Sequence, residues 1–166
     1  MVKEMKEQIK HIWELLEDVS DPEVPVLSIV DLGIVRDVIL LENKTVSIKI
    51  TPTYTGCPAM RVIEKGIEER LGEAGIEAKV ETVLSPAWTT DWMSENGKRK
   101  LKEYGIAPPE NEPDKSALFA DPIIVPCPKC NSKNTKLVSQ FGSTACKAHY
   151  KCLACLEPFD YFKCLR

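Results

Sequence analysis

The sequence predicts an α+β protein in two parts: a small α-β-β-α-β-α domain with helices on a mixed sheet, then a separate C-terminal ribbon held by cysteines. Three observations carry this. Apolar residues switch from helical to alternating spacing and back over the first hundred positions. Six of the seven cysteines, Cys127, Cys130, Cys146, Cys152, Cys155 and Cys164, fall in the last 40 residues, leaving Cys57 alone upstream. Charge divides at the same place: residues 1–120 carry 15 basic and 22 acidic side chains (−7), whereas 121–166 carry 7 and 3 (+4).

Val2, Met5, Ile9, Ile12, Trp13 and Leu16 recur at helical spacing, with Lys, Glu and Gln opposite, until Asp18-Val19-Ser20-Asp21-Pro22 stops the pattern. Ile34–Leu41 and Thr45–Thr51 are β-branched runs joined by Glu42-Asn43-Lys44, and Val46, Ile48 and Ile50 alternate with polar residues, so a hairpin with one buried face is expected. After the loop TPTYTGCP, Met60, Ile63, Ile67 and Leu71 mark a second helix that Gly72 and Gly75 end. Ile76, Ala78 and Val80 alternate as a third strand. A last helix runs from about Asp91 to Tyr104 and is closed by Gly105 and Pro108-Pro109. In the tail, Leu137–Phe141 and the run Phe159, Tyr161, Phe162 read as strands.

These elements set the boundaries: a first domain over 1–105, a proline-rich linker over 106–126, and a cysteine-rich domain over 127–166. The segment from Gly105 to Pro126 holds five of the chain's 12 prolines, which fix φ and remove N–H donors. About 105 residues can bury a core of their own, but a tail of about 40 usually needs a metal or disulfides.

Composition narrows the function classes. With 43% hydrophobic and 28% charged residues the chain is an ordinary globular protein, without a polybasic arm. The longest stretch free of Asp, Glu, Lys and Arg is 11 residues, Ile50–Met60, where a spanning helix needs roughly 20 apolar ones. The N-terminus mixes charges throughout and has no secretory h-region. A cytoplasmic protein with reduced thiols is the expectation. No Walker A loop, dinucleotide glycine fingerprint, nucleophile elbow or zinc-protease helix occurs.

Cys57 follows a strand and a glycine and precedes Pro58, which favours a first helical position. The partial positive charge there would lower the thiol's pKa and favour the thiolate, both nucleophile and metal ligand. Thr51, Thr53, Tyr54 and Thr55 bring hydroxyls to the same loop. A lone Cys is nevertheless more often a buried small hydrophobe. Asp21-Pro22-Glu23 could place two carboxylates in one turn, and Asp31 and Asp37 flank the hairpin, although Asp before Pro is also ordinary turn chemistry. Trp88 and Trp92 stand either as an exposed loop surface or as the closure of the core. His11 and the charges Lys98, Arg99, Lys100 and Lys102 read as solvated faces.

Cys127-Pro128-Lys129-Cys130 and Cys152-Leu153-Ala154-Cys155 are two C-x₂-C pairs 21 residues apart. Four thiolates from two tight knuckles suit tetrahedral zinc, with iron in a sulfur cage as the alternative. A structural site is the default, because so few apolar groups would hardly hold the tail without a metal. Cys146, His149 and Cys164 are spare ligands, and Asn131 and Leu156 stand after the pairs where Gly often relaxes the turn.

The motifs DPEVPVLSIVDLGIVRDV (21–38), TPTYTGCPAM (51–60) and SPAWTTDWMSENGKRKLKEYGIAPP (85–109) resemble the small domain of iron–sulfur assembly factors of the SufT type. CPKC with SQFGSTACKAHYKCLACLEPFDYFKC (139–164) resembles the tail of the PaaD subunit family of phenylacetyl-CoA epoxidase. The resemblance implies an accessory or maturation subunit of the multicomponent oxygenase of aerobic phenylacetate breakdown, without catalytic activity of its own. It implies that Cys57, with Asp21, Glu23 and Thr55, handles iron or a cluster transiently, and that Cys127, Cys130, Cys152 and Cys155 hold the structural metal. The implied partners are the reductase or oxygenase subunits and the iron–sulfur assembly machinery, with no membrane and no nucleic acid. Two other classes remain on the residues alone: a zinc ribbon that contacts nucleic acid through its +4 charge, and a thiol redox protein.

Overall fold

The computed structural model describes residues 2–41, 45–110 and 123–164. In chain order, α1 spans Val2–Leu16, β1 Val35–Leu40, β2 Val46–Ile50, α2 Met60–Glu73 and β3 Ala78–Thr82. A 3₁₀ turn follows at Thr90–Trp92, then α3 at Glu95–Tyr104 and the strands β4 Thr135–Ser139, β5 Lys147–Cys152 and β6 Pro158–Phe162. Contacts divide the chain into two compact units, Met1–Trp88 with Trp92–Ser94, and Thr89–Asp91 with Glu95–Arg166. No helix among the described residues is long and apolar enough to cross a membrane.

The first unit is built on a three-stranded sheet in the order β1-β2-β3. β1 and β2 pair antiparallel, as their alternation predicts; their connection at 42–44 lies outside the described residues. β3 pairs parallel to β2, Val46 opposite Ala78 through Ile50 opposite Thr82, which makes the sheet mixed. A parallel return needs a crossover, and α2 supplies it. α1 touches β1 and α2, and α2 touches β3. Ile12 and Leu16 of α1, Ile63, Ile67 and Leu71 of α2, and Val46, Ile48 and Ile50 of β2 are all buried to 2% exposure or less. Each such side chain contributes about 1.5–3 kcal/mol of transfer free energy.

The chain between α1 and β1 carries little regular structure and is held by its own polar groups. Gly33, at φ +69°, passes so close to Trp92 that a Cβ would stand 2.2 Å from the Trp92 carbonyl oxygen. The neighbouring carbonyl of Leu32 accepts the Trp88 indole N–H at 2.9 Å. Trp88 is buried and closes the core, and Trp92 lies beneath the Arg36 guanidinium, 3.4 Å from its ring centroid.

The second unit carries the antiparallel sheet β4-β5-β6. One face packs Leu137, Tyr150, Phe159 and Tyr161 with Val125, Ala148 and the buried Cys127 and Cys152. Tyr150 stacks on Phe159 at 5.8 Å and meets Tyr161 edge-on at 5.7 Å. Ala107, just after α3, extends this sheet: its N–H donates to the Asp160 carbonyl at 2.8 Å and its carbonyl accepts the Phe162 N–H at 2.9 Å. The first residues of the expected linker are therefore sheet edge, whereas 111–122 lie outside the described residues.

Candidate metal cage and cysteine loop

The ribbon brings its two C-x₂-C pairs together. Cys127 and Cys130 precede β4, Cys152 ends β5, and Cys155 stands in the turn toward β6. The four sulfurs all lie within 4.8 Å of one another. Across the pairs, Cys127 Sγ stands 3.7 Å from Cys155 Sγ, and Cys130 Sγ 3.6 Å from Cys152 Sγ. Sulfurs around a tetrahedral zinc at about 2.3 Å would stand about 3.8 Å apart, so the set fits that ion. Among the described residues no other group of three or more Cys, His, Asp or Glu side chains converges in this way.

Each knuckle is tied by backbone. The Asn131 N–H donates to the Cys127 carbonyl at 2.9 Å, and the Cys155 N–H to Cys152 Sγ at 3.5 Å. Asn131 and Leu156, after the second cysteine of each pair, take φ of 59° and 66°. The left-handed region at these places is why a glycine is common there; Asn adopts it readily and Leu does not. The Cys155 N–H draws the Cys152 thiol down to about 6. Cys155 goes the other way, to about 12: the Glu157 N–H favours its thiolate, but desolvation and the sulfurs of Cys152, Cys130 and Cys127 together outweigh it. Four thiols in this space do not all ionise without a cation, so metal uptake must release protons.

The spare ligands stay apart from the cage. Cys146 is buried with Thr144 Oγ1 at 3.0 Å, and Cys164 is buried with Thr90 Oγ1 at 3.4 Å. His149 Nδ1 faces Asp160 Oδ1 at 3.2 Å.

In the first unit the cysteine loop runs from β2 to α2. Gly56, at φ +81°, turns the chain into Cys57, which is half-buried. The helix begins later than expected: Ala59 is the N-cap and Met60 the first helical residue, so Pro58 sits in a turn. This distance weakens the influence of the helix end, which falls off within the first turn. Burial instead raises the Cys57 thiol above its ordinary range; the Ala59 N–H and Tyr54 side chain oppose this, and the charges of Glu23 and Asp21 add to it. The expected lowered pKa is overturned.

Those charges show that the structure places Asp21 and Glu23 in the surroundings of Cys57. Asp21 is buried, and its Oδ1 accepts the N–H groups of Glu23 at 2.8 Å and Val24 at 2.7 Å, which fixes the acidic turn. A protonated thiol beside two carboxylates is a poor nucleophile, and the same negative field favours a cation arriving at the sulfur. Glu23→Gln is therefore expected to lower the Cys57 pKa and speed its alkylation by iodoacetamide at pH 8, read by peptide mapping. An unchanged or slower rate would show that Glu23 does not act on the thiol.

Asp31, buried, accepts the Ser94 hydroxyl at 2.8 Å and serves the packing of the loop; Asp37 is exposed and accepts the Val38 N–H at 3.0 Å. Thr55 is exposed at the rim of a cavity of about 70 Å³ lined by Thr51, Thr53, Tyr54, Leu84 and Trp88. Thr51, expected to bring a hydroxyl to this loop, is instead buried at 1% exposure, and its Oγ1 has no hydrogen-bond partner among the described residues. Leaving a buried hydroxyl unsatisfied costs about 1–3 kcal/mol. Thr51→Val should therefore raise stability by about 1 kcal/mol in urea denaturation; a loss of that size would mean the hydroxyl is satisfied.

The family described as PaaD zinc beta ribbon domain matches residues 111–163, and that described as iron-sulfur cluster assembly protein matches 9–85. The chain is 48% identical over 159 residues to a putative 1,2-phenylacetyl-CoA epoxidase subunit of Escherichia coli, covering 95% of this chain and 94% of that protein. It is 37% identical over 100 residues to the Fe-S protein maturation auxiliary factor YitW of Bacillus subtilis, 58% of this chain and 97% of that protein. A crystal structure of the domain of unknown function DUF59 from Bacillus anthracis superposes with a TM-score of 0.52 at 34% identity, covering 55% of this chain and 89% of that one.

Proposed function

The chain belongs to the PaaD family of phenylacetyl-CoA epoxidase subunits, and from that premise we propose that it is an accessory subunit that assists metal-centre assembly in the oxygenase system of aerobic phenylacetate catabolism. It performs no catalysis of its own. Residues 1–105 handle the cargo, an iron ion or iron–sulfur cluster carried transiently at Cys57. Residues 127–166 form a ribbon around a structural zinc held by Cys127, Cys130, Cys152 and Cys155. The clients are the reductase or oxygenase subunits, served in the cytoplasm together with the iron–sulfur assembly machinery.

The observation that carries this reading is the contrast between the two sulfur sites. Four thiols converge with tetrahedral spacing. Cys57 stands apart with a raised pKa in an acidic field, in a domain matched by the iron-sulfur cluster assembly family. A closed set of four ligands suits permanent retention; a single sulfur with carboxylates nearby suits a cargo that must leave again.

The test is elemental analysis and visible absorbance of protein purified without oxygen, together with the cluster content of the co-expressed reductase. Cys57→Ser should leave the zinc and the thermal midpoint of the protein unchanged while lowering client cluster content several-fold. Full cluster content with this variant would remove the role given to Cys57.

A further inference from the structure

The sheet of the second unit has an outer face that the folding of the ribbon does not explain. On it Lys136 of β4 and Lys151 of β5 stand directly opposite each other. Both are exposed, and neither forms an ion pair among the described residues. Like charges in one cross-strand pair destabilise a sheet. The neighbouring rung shows the usual remedy, since His149 there faces Asp160 at 3.2 Å. Beyond Lys151, β5 runs into the second knuckle, where Leu153 is 46% and Leu156 66% exposed. Leu156 also holds φ at 66°, a conformation in which glycine is relaxed and leucine is not. Lys133, exposed beside the first knuckle, adds a further positive charge.

Three choices here work against the stability of the isolated ribbon: an opposed lysine pair, an aliphatic side chain in a left-handed turn, and two exposed leucines in and before that turn. Local choices that conflict with the fold are where function is to be sought. We propose that this surface, Leu153 and Leu156 flanked by Lys136 and Lys151, docks onto an acidic protein surface bearing an apolar slot, presented by another subunit of the oxygenase system. The proposal rests on the accessory-subunit reading above.

Charge complementarity selects the partner. The lysines have no counter-charge among the described residues and ask for carboxylates, and the leucines ask for a dry aliphatic pocket rather than phosphates. Nucleic acid is the poorer fit: the ribbon's basic residues are scattered singly, and the exposed Phe141 ring, which could stack a base, already lies 5.0 Å from the Lys163 ammonium.

The experiment titrates the full-length, metal-loaded chain against the purified oxygenase and reductase subunits of the proposed system, at low and moderate salt, with zinc content measured for every variant. Lys151→Glu should weaken binding to one of these subunits by about tenfold or more and flatten the salt dependence. Leu156→Gly should weaken it by about tenfold while raising the thermal midpoint, a pairing that a merely structural leucine would not give. Wild-type affinity in both variants, with zinc retained, overturns the docking surface and leaves the accessory role standing. Absence of binding to either subunit by the wild-type chain overturns both. Tight, salt-dependent binding to a single-stranded oligonucleotide that Lys151→Glu abolishes overturns the choice of a protein partner.

Discussion

Replacing Cys127 by Ser is expected to release the ribbon's metal and unfold the second unit's sheet, while the first unit keeps its structure. The packed cluster behind β4-β5-β6 is small, and two of its fully buried members, Cys127 and Cys152, are themselves cage residues. A module of about 40 residues with so few apolar side chains does not hold itself together. Apparent zinc binding in comparable small sites is worth about 10–16 kcal/mol near neutral pH, more than the whole stability of many domains. Losing one of four sulfurs therefore removes the dominant favourable contribution. Elemental analysis should show close to one metal per chain lost, and hydrogen exchange should show β5 and β6 exchanging freely while β2 and α2 stay protected. Retained metal with protected β5 would mean that another residue completes the cage, although Cys146, Cys164 and His149 are engaged elsewhere.

Gly33→Ala should be the most damaging single-methyl change in the first unit. The added carbon would stand 2.2 Å from the Trp92 carbonyl oxygen and 2.6 Å from its carbon, both backbone atoms, so no side-chain rotation relieves it. The φ of +69° adds a penalty of about 1–2 kcal/mol for any residue with a Cβ. With overpacking of about 1–3 kcal/mol, a loss of about 3 kcal/mol is expected, a large share of a marginal stability. The damage should spread along the anchors of the 88–94 segment. These are the Trp88 indole on the Leu32 carbonyl and the Ser94 N–H on the Asp31 carbonyl, both at 2.9 Å. Trp88 also walls the hydroxyl-lined cavity of the cysteine loop, so its fluorescence should shift to the red. A urea midpoint close to that of the unaltered protein would show that the two backbones can part here at little cost.

Much of this architecture is legible in the chain alone, and the illegible parts have identifiable causes. The periodicity of Ile12 and Leu16, and of Ile63, Ile67 and Leu71, names the buried faces of α1 and α2 because a helix repeats its inward side every three to four residues. The paired cysteine spacing names the cage for a similar reason: a knuckle is local geometry. The last helix starts at Glu95 rather than Asp91 because residues 90–92 wind into a 3₁₀ turn first. Strand β5 escapes notice because Lys147, His149 and Lys151 mask the inward alternation of Ala148, Tyr150 and Cys152. Neither the raised pKa of Cys57 nor the stranded hydroxyl of Thr51 can be read from spacing. The first is set by burial together with Glu23 and Asp21, which lie in another segment, and the second by packing alone.

The cage is lopsided: Cys127 and Cys152 face the interior, and Cys130 and Cys155 face the solvent. Chelators and peroxides can reach only that outer pair, and each outer sulfur lies across from an inner one of the opposite knuckle. With a metal bound, oxidation of one outer sulfur would free its loop, and the three remaining sulfurs would still hold the ion. Damage to this protein should consequently accumulate as a slow leak of metal, arrested if a reductant repairs the rim before the second sulfur is lost.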